Sequence, residues 1–171
     1  VYPVTYNGNG STGGSAPVDA LSPYAAGATV TVLGAGSLVR TGYTFVDWDM
    51  ASDGSGANYD PADTFPMPGS AVTLFAQWTL DTYTITYNLD SGTNDPGNPA
   101  SYTVLTPTIT LQPATKAGYT FGGWYADAGF TTPVTQIVLG STGNVTLYAK
   151  FTAVYPVTYN GNGSTGGSAP V

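Results

Sequence analysis

Asp47 and Asp49 stand two apart in the run Phe45-Val46-Asp47-Trp48-Asp49, and Asp53 and Gly54 follow closely. Two carboxylates on one strand face are the raw material of paired acid and base catalysis, provided that their surroundings drive the two pKa values apart. Here no histidine, cysteine or glutamate accompanies them. Groups that exchange protons or attack near neutral pH are therefore almost lacking. With no neighbour in view to raise either pKa, Asp47 and Asp49 read as a solvated strand face, with Trp48 buried on the opposite side. No catalysis is expected.

The same acids, with Asp60 and Asp63 as the next candidate ligands, suggest a calcium loop. The fixed ligand spacing and terminal bidentate glutamate of the helix-loop-helix site are missing. Neither metal nor cofactor is expected, and chelation should leave the melting temperature unchanged. Gly8-Asn9-Gly10-Ser11-Thr12-Gly13 satisfies G-x-G-x-x-G after a strand, yet no helix can start in a stretch that contains Pro17, so the match is accidental. Tyr24, Tyr43, Tyr59, Tyr102, Tyr119 and Tyr125 are suited to stacking on sugars. The recurrence of Gly-Tyr-Thr-Phe at Gly42 and at Gly118 points instead to packing. Asn9-Gly10-Ser11 and Asn144-Val145-Thr146 fit glycosylation acceptors, a weak signal.

The elements that hold these residues emerge when the chain is laid on itself. Val154 to Val171 repeats Val1 to Val18 without a difference, at an offset of 153. Inside that period lies a diverged second copy. Tyr2-Pro3-Val4-Thr5-Tyr6-Asn7 matches Tyr83-Thr84-Ile85-Thr86-Tyr87-Asn88, and Gly42-Tyr43-Thr44-Phe45 matches Gly118-Tyr119-Thr120-Phe121. Val72 to Trp78 matches Val145 to Phe151. The offsets fall from 81 to 76 to 73, which places extra residues of the first copy in its gaps, where loops are expected.

Each block alternates in the manner of a half-buried strand, with Val72, Leu74 and Ala76 on one face. Asn7-Gly8-Asn9-Gly10 and Asp53-Gly54-Ser55-Gly56 carry hairpin-turn chemistry. At most one short helical turn per copy is expected, near Asp60-Pro61-Ala62-Asp63 or Thr132 to Ile137, because proline and glycine punctuate every gap. The predicted fold class is mainly β, α+β at most. Repeat copies are drawn at 1–78 and 79–152, and 153–171 supplies the first strand and turn of a third. The expected core is Trp48, Trp78, Trp124, Phe45, Phe121, Tyr43, Tyr119 and Phe151.

Composition narrows the function. Charged residues make up 8% of the chain, against roughly 25% in soluble domains, and the net charge is −7. Such a field suits neither nucleic acid nor an anionic membrane. With 42% hydrophobic residues an ordered core is expected. The lack of cysteine removes disulfides and thiolate metal sites. No apolar run reaches the roughly 20 residues of a membrane span. No charged-then-apolar leader stands at Val1, so the segment is expected to begin after any export signal.

The Y-x-[VI]-T-Y-N opening, the Lys116-Ala117-Gly118-Tyr119-Thr120-Phe121-Gly122-Gly123-Trp124-Tyr125 core and the closing Asn144 to Phe151 block, in this order, resemble the Listeria-Bacteroides repeat. This is the B-repeat-like module of internalins and other bacterial surface proteins. The resemblance implies a small β-grasp-like module with little helix, strung in tandem at the cell surface. It departs at the Ser15 to Gly36 insertion and at Val46-Asp47, where the second copy has Gly122-Gly123. The expected role is a non-enzymatic stalk, spacer or fibre segment of an extracellular adhesin. The alternative is a module that binds a glycan or host protein through exposed aromatics. The partners expected are neighbouring repeat modules, with head-to-tail self-assembly by strand exchange between the identical ends.

Overall fold

The computed structural model describes residues 1–160, 162, 163 and 165–167. Among these there are thirteen strands and no helix, a mainly β architecture. The chain forms two compact units. One comprises Val1–Tyr83, Ser101–Pro107 and Leu139–Gly143; the other comprises Thr84–Ala100, Thr108–Val138 and Asn144–Val171. These units are a different division from the repeat copies drawn at 1–78 and 79–152, since 79–83, 101–107 and 139–143 all cluster with the first.

The first copy supplies β1 (Val4–Asn7), β2 (Thr29–Thr31), β3 (Tyr43–Asp49), β4 (Asn58–Tyr59), β5 (Thr64–Pro66) and β6 (Val72–Leu80). Its main sheet has the order β1-β6-β3-β4. β1 runs parallel to β6, with Val4 opposite Val72 and Asn7 opposite Phe75, whereas β3 is antiparallel to β6. Alternation sends Val72, Leu74 and Ala76 into the core, where Leu74 and Ala76 are fully buried.

The second copy supplies β7 (Tyr83–Asn88), β8 (Ser101–Tyr102), β9 (Ile109–Thr110), β10 (Tyr119–Tyr125), β11 (Pro133–Val134), β12 (Gln136–Ile137) and β13 (Val145–Ala153). The same frame recurs in the sheet β11-β10-β13-β7-β8. β7 is parallel to β13, with Ile85 opposite Val145, and β10 is antiparallel to β13.

Four expectations need correction. The gaps are not loops alone: Ser15 to Gly36 contains β2, which pairs with β5 and buries Val30, and the flanking Tyr24 and Val32 also enter the core. The small strand β9, paired with β12, occupies corresponding gaps of the second copy. Asn7 to Gly10 is not a hairpin turn, because β1 finds its partner in β6, far along the chain; left-handed Asn9 (φ 42°) and Gly10 (φ 85°) serve a loop instead. No helical turn forms at Asp60 to Asp63, where Asp60 N–H donates to Asp63 Oδ2 at 2.9 Å, nor at Thr132 to Ile137, which holds β11 and β12. Lastly, Val154 to Asn160 form no strand, and Tyr155, Val157 and Tyr159 are exposed. Part of the expected third-copy turn, at 161, 164 and 168–171, lies outside the described residues.

Asp53 to Gly56 does lie in a β3–β4 hairpin, closed by Met50 N–H donating to Ala57 O at 3.0 Å.

Candidate functional site

The residues brought together most strongly are aromatic. Within the first unit Tyr6, Trp48, Phe45 and Trp78 form a chain of edge-on contacts, with centroids 4.8, 5.2 and 5.8 Å apart. The second unit repeats it as Tyr87, Trp124, Phe121 and Phe151, at 5.2, 5.4 and 5.9 Å. Edge-to-face geometry sets the positive rim of one ring against the negative face of the next.

Phe45 and Trp48, three apart on one strand, would ordinarily face opposite sides. A β-bulge sets Val46 and Asp47 against a single residue of β6, so that Phe45 meets Trp78 and Trp48 meets Ala76. The second copy bulges at the same place, between Phe121 and Gly123, and Gly123 there adopts φ 118°, a conformation open to glycine. Each indole N–H also has a carbonyl: Trp48 donates to Leu33 O at 2.8 Å, Trp78 to Gly8 O at 3.0 Å and Trp124 to Gln112 O at 2.8 Å.

Of the expected core, Trp48 and Trp124 are buried, while Phe45, Trp78, Phe121, Phe151 and Tyr43 are half-buried. Tyr119 departs from the expectation, being 41% exposed. Both tyrosines lie under cations: the Arg40 guanidinium sits 4.0 Å from the Tyr43 centroid and Lys116 Nζ 4.4 Å from that of Tyr119. Lys116 also pairs with exposed Asp90 at 2.7 Å.

The reading of Asp47 and Asp49 as one solvated face does not hold. Asp49 is 1% exposed, and its Oδ1 accepts the N–H groups of Ala51 at 2.6 Å and Gly56 at 3.0 Å. It thus braces the hairpin loop from inside. Asp47 lines a recess of about 180 Å³ with Asn58, Tyr59, Asp60 and Asp63, and its Oδ1 is buried without a hydrogen-bond partner among the described residues. Asp63 is engaged by its own turn, and no three acidic side chains converge as metal ligands among the described residues. Asp53 is exposed, and hydrogen bonds from the Ser55 hydroxyl and N–H hold its carboxyl below the usual range.

One polar pair escaped the sequence reading. Tyr24 donates its hydroxyl to Asp19 Oδ2 at 2.7 Å, and both residues are buried. Burial first, then the Asp19 hydrogen bond, push the Tyr24 pKa up to about 12, so that it stays a neutral donor at physiological pH. Of the glycosylation candidates, Asn9 spends its amide on Ser52 O and Ala76 O, and Asn144 Oδ1 accepts from Thr84 N–H. These side chains are joints of the frame.

The polar groups thus fasten backbone, and the aromatic groups fasten each other. Comparison with known proteins agrees with the two-copy arrangement. The family model described as the Listeria-Bacteroides repeat domain matches residues 2–77 and again 83–150. A protein named as a Gly-rich membrane protein of Evansella cellulosilytica is 34% identical over 166 residues, covering 96% of this chain and 19% of its own length. Internalin H of Listeria monocytogenes is 37% identical over 134 residues, covering 72% of this chain and 23% of its own length. The chain therefore spans less than a quarter of these relatives. No solved structure matches it.

Proposed function

Because the chain belongs to the Listeria-Bacteroides repeat family, we propose that it is a stalk or spacer segment of an extracellular surface protein, without catalysis of its own. Its repeats are drawn at 1–78 and 79–152, with a further copy opening at 153–171. The observation that carries this reading is the doubled ring chain on a doubled sheet frame, Tyr6-Trp48-Phe45-Trp78 and Tyr87-Trp124-Phe121-Phe151. What is kept between the copies is packing. The acids of the first copy, by contrast, have no counterparts at Gly123 and Tyr125 of the second, as a shared active site would require. Names that speak of a membrane protein and an internalin support a cell-surface setting.

The test is distance. In a wall-anchored surface protein that carries this segment below an epitope, adding copies of residues 1–152 should raise the epitope's height above the wall in proportion to copy number, as read by super-resolution imaging. A height that ignores copy number would refute the spacer reading.

One observation favours a second reading, a glycan-binding module. Phe130 is 37% exposed beside Tyr125, with centroids 5.5 Å apart, and Lys150 Nζ lies 5.5 and 5.8 Å from the two rings. Glycan-array binding that is lost in Phe130→Ala would establish it.

A further inference from the structure

The spacer reading leaves open how one repeat meets the next, and two glycines at equivalent positions answer it. Gly42 and Gly118 precede the Tyr-Thr-Phe of β3 and β10, with φ 75° and 78°. Their surroundings match bond for bond. Tyr43 N–H donates to Arg40 O at 2.9 Å and Tyr119 N–H to Lys116 O at 3.1 Å, while Asp81 N–H donates to Gly42 O and Val154 N–H to Gly118 O, both at 2.9 Å. A cation lies over the tyrosine in both.

What differs is the cover. A Cβ built on Gly42 would stand 2.5 Å from Cβ of Val104, so Val104 fills the space that glycine leaves. A Cβ on Gly118 would meet nothing within 4 Å among the described residues. Tyr43 is half-buried and Tyr119 is 41% exposed. Val104 belongs to Ser101–Pro107, which lies within the second family match yet packs in the first compact unit.

The first copy has its own version of that knob. Thr106 N–H donates to Thr103 O at 3.0 Å and Ala28 N–H to Ala25 O at 3.1 Å, each turn directly following a buried tyrosine, Tyr102 or Tyr24. This alignment sets Ala26 opposite Val104. Ala25, Ala26 and Gly27 are exposed, whereas Thr103 and Val104 are half-buried. A small apolar turn thus stands uncovered in the first copy, and a glycine hole of the matching kind stands uncovered in the second.

We infer that the Gly118 surface is the docking face for the Ala25–Ala28 turn of the following repeat, a knob-in-hole joint of the kind that Val104 makes on Gly42. The occupant is a further copy of this same repeat, whose opening residues Val154 to Val171 already reproduce Val1 to Val18. Small side chains suit both surfaces: glycine lets the turn approach the backbone, and alanine requires no pocket deeper than the one Val104 fills. Successive repeats would then be held in a fixed register rather than joined by loose linkers. The inference rests on the spacer reading, because it needs repeats in series.

The lack of cysteine makes the test direct. The chain is lengthened after Val171 by a copy of Asp19 to Ala153, and cysteines are placed as Ala117→Cys and, in the appended copy, Ala26→Cys. The benchmark is the equivalent pair already seated, Thr41→Cys with Val104→Cys, and the control joins Ala117→Cys to Ser55→Cys of the appended copy. Under mild oxidation the joint predicts a disulfide rate within about threefold of the benchmark, on the logic that cross-linking demands close Cα atoms. A rate no faster than the control overturns the joint. That result would leave the spacer reading standing, since flexibly linked repeats would still raise the epitope with copy number.

Discussion

Replacing Trp124 by alanine tests whether the ring chain is the source of stability. The side chain is 3% exposed and touches Tyr87 and Phe121 edge-on at 5.2 and 5.4 Å. Truncation of a buried large aromatic costs about 3–5 kcal/mol, and each lost ring pair about 0.5–1.5 kcal/mol beyond burial, which places the change in the upper half of that range. The missing indole donor adds little. Gln112 O, which accepts it at 2.8 Å, also accepts Asn98 Nδ2 at 2.9 Å and stays satisfied. A loss of about 4 kcal/mol approaches the whole stability of a small domain, and at about 4–8 °C per kcal/mol it lowers Tm by at least ~16 °C. Urea and thermal melts followed by circular dichroism measure the loss. The indole N–H resonances locate it: those of Trp48 and Trp78 should persist while the second copy unfolds. A loss under about 1 kcal/mol would refute the role of the ring chain, and disappearance of every indole resonance would refute independent folding of the copies.

Asp49→Ala should cost about 2–4 kcal/mol by stranding the Ala51 and Gly56 N–H groups, and Asp49→Asn less than half of that, since its Oδ1 still accepts; equal losses in urea melts would show that the charge, not the bonds, matters. Gly123→Ala, at φ 118°, should cost about 1–3 kcal/mol and the neighbouring Gly122→Ala, with no such φ, clearly less; equal costs would remove the bulge argument. Tyr24, with its folded pKa raised from 10.0 to about 12, contributes stability that is complete below pH ~10 and is lost as pH rises toward ~12, because the unfolded chain ionises first. Tyr24→Phe should flatten that part of the alkaline stability curve, and an unchanged curve would refute the assignment.

The strands and their buried faces were legible because alternation is local: Val72, Leu74 and Ala76 declare their face without reference to any partner. The pairing of β1 with β6 was not, since nothing in Val-Thr-Tyr-Asn specifies a neighbour some 68 residues on, and the Asn-Gly sequence that follows suggests a hairpin as readily. Length hid β2 and β5, for strands of three residues carry too little periodicity to separate from loop. Asp49 was misplaced for a different reason. Alternation along a strand says nothing of a loop folded over its end, and the hairpin loop closes over Asp49 through the N–H groups of Ala51 and Gly56. Tyr119 was assigned to the core on its likeness to Tyr43, although likeness of sequence says nothing of what covers each.

The parallel setting of β1 beside β6 also decides how a repeat bears a load. The chain enters at Val4, level with Val72, and leaves at Leu80, eight residues further along the same direction, about 26 Å at ~3.3 Å per residue. Tension between entry and exit therefore slides the two strands along each other, and the rungs of the ladder resist together instead of opening in turn like a zip. Tyr83–Asn88 and Val145–Ala153 are set in the same way. A repeat built so yields only when several bonds break at once, and force spectroscopy should find a higher unfolding force when it is pulled by its ends than when β3 and β6 are peeled apart.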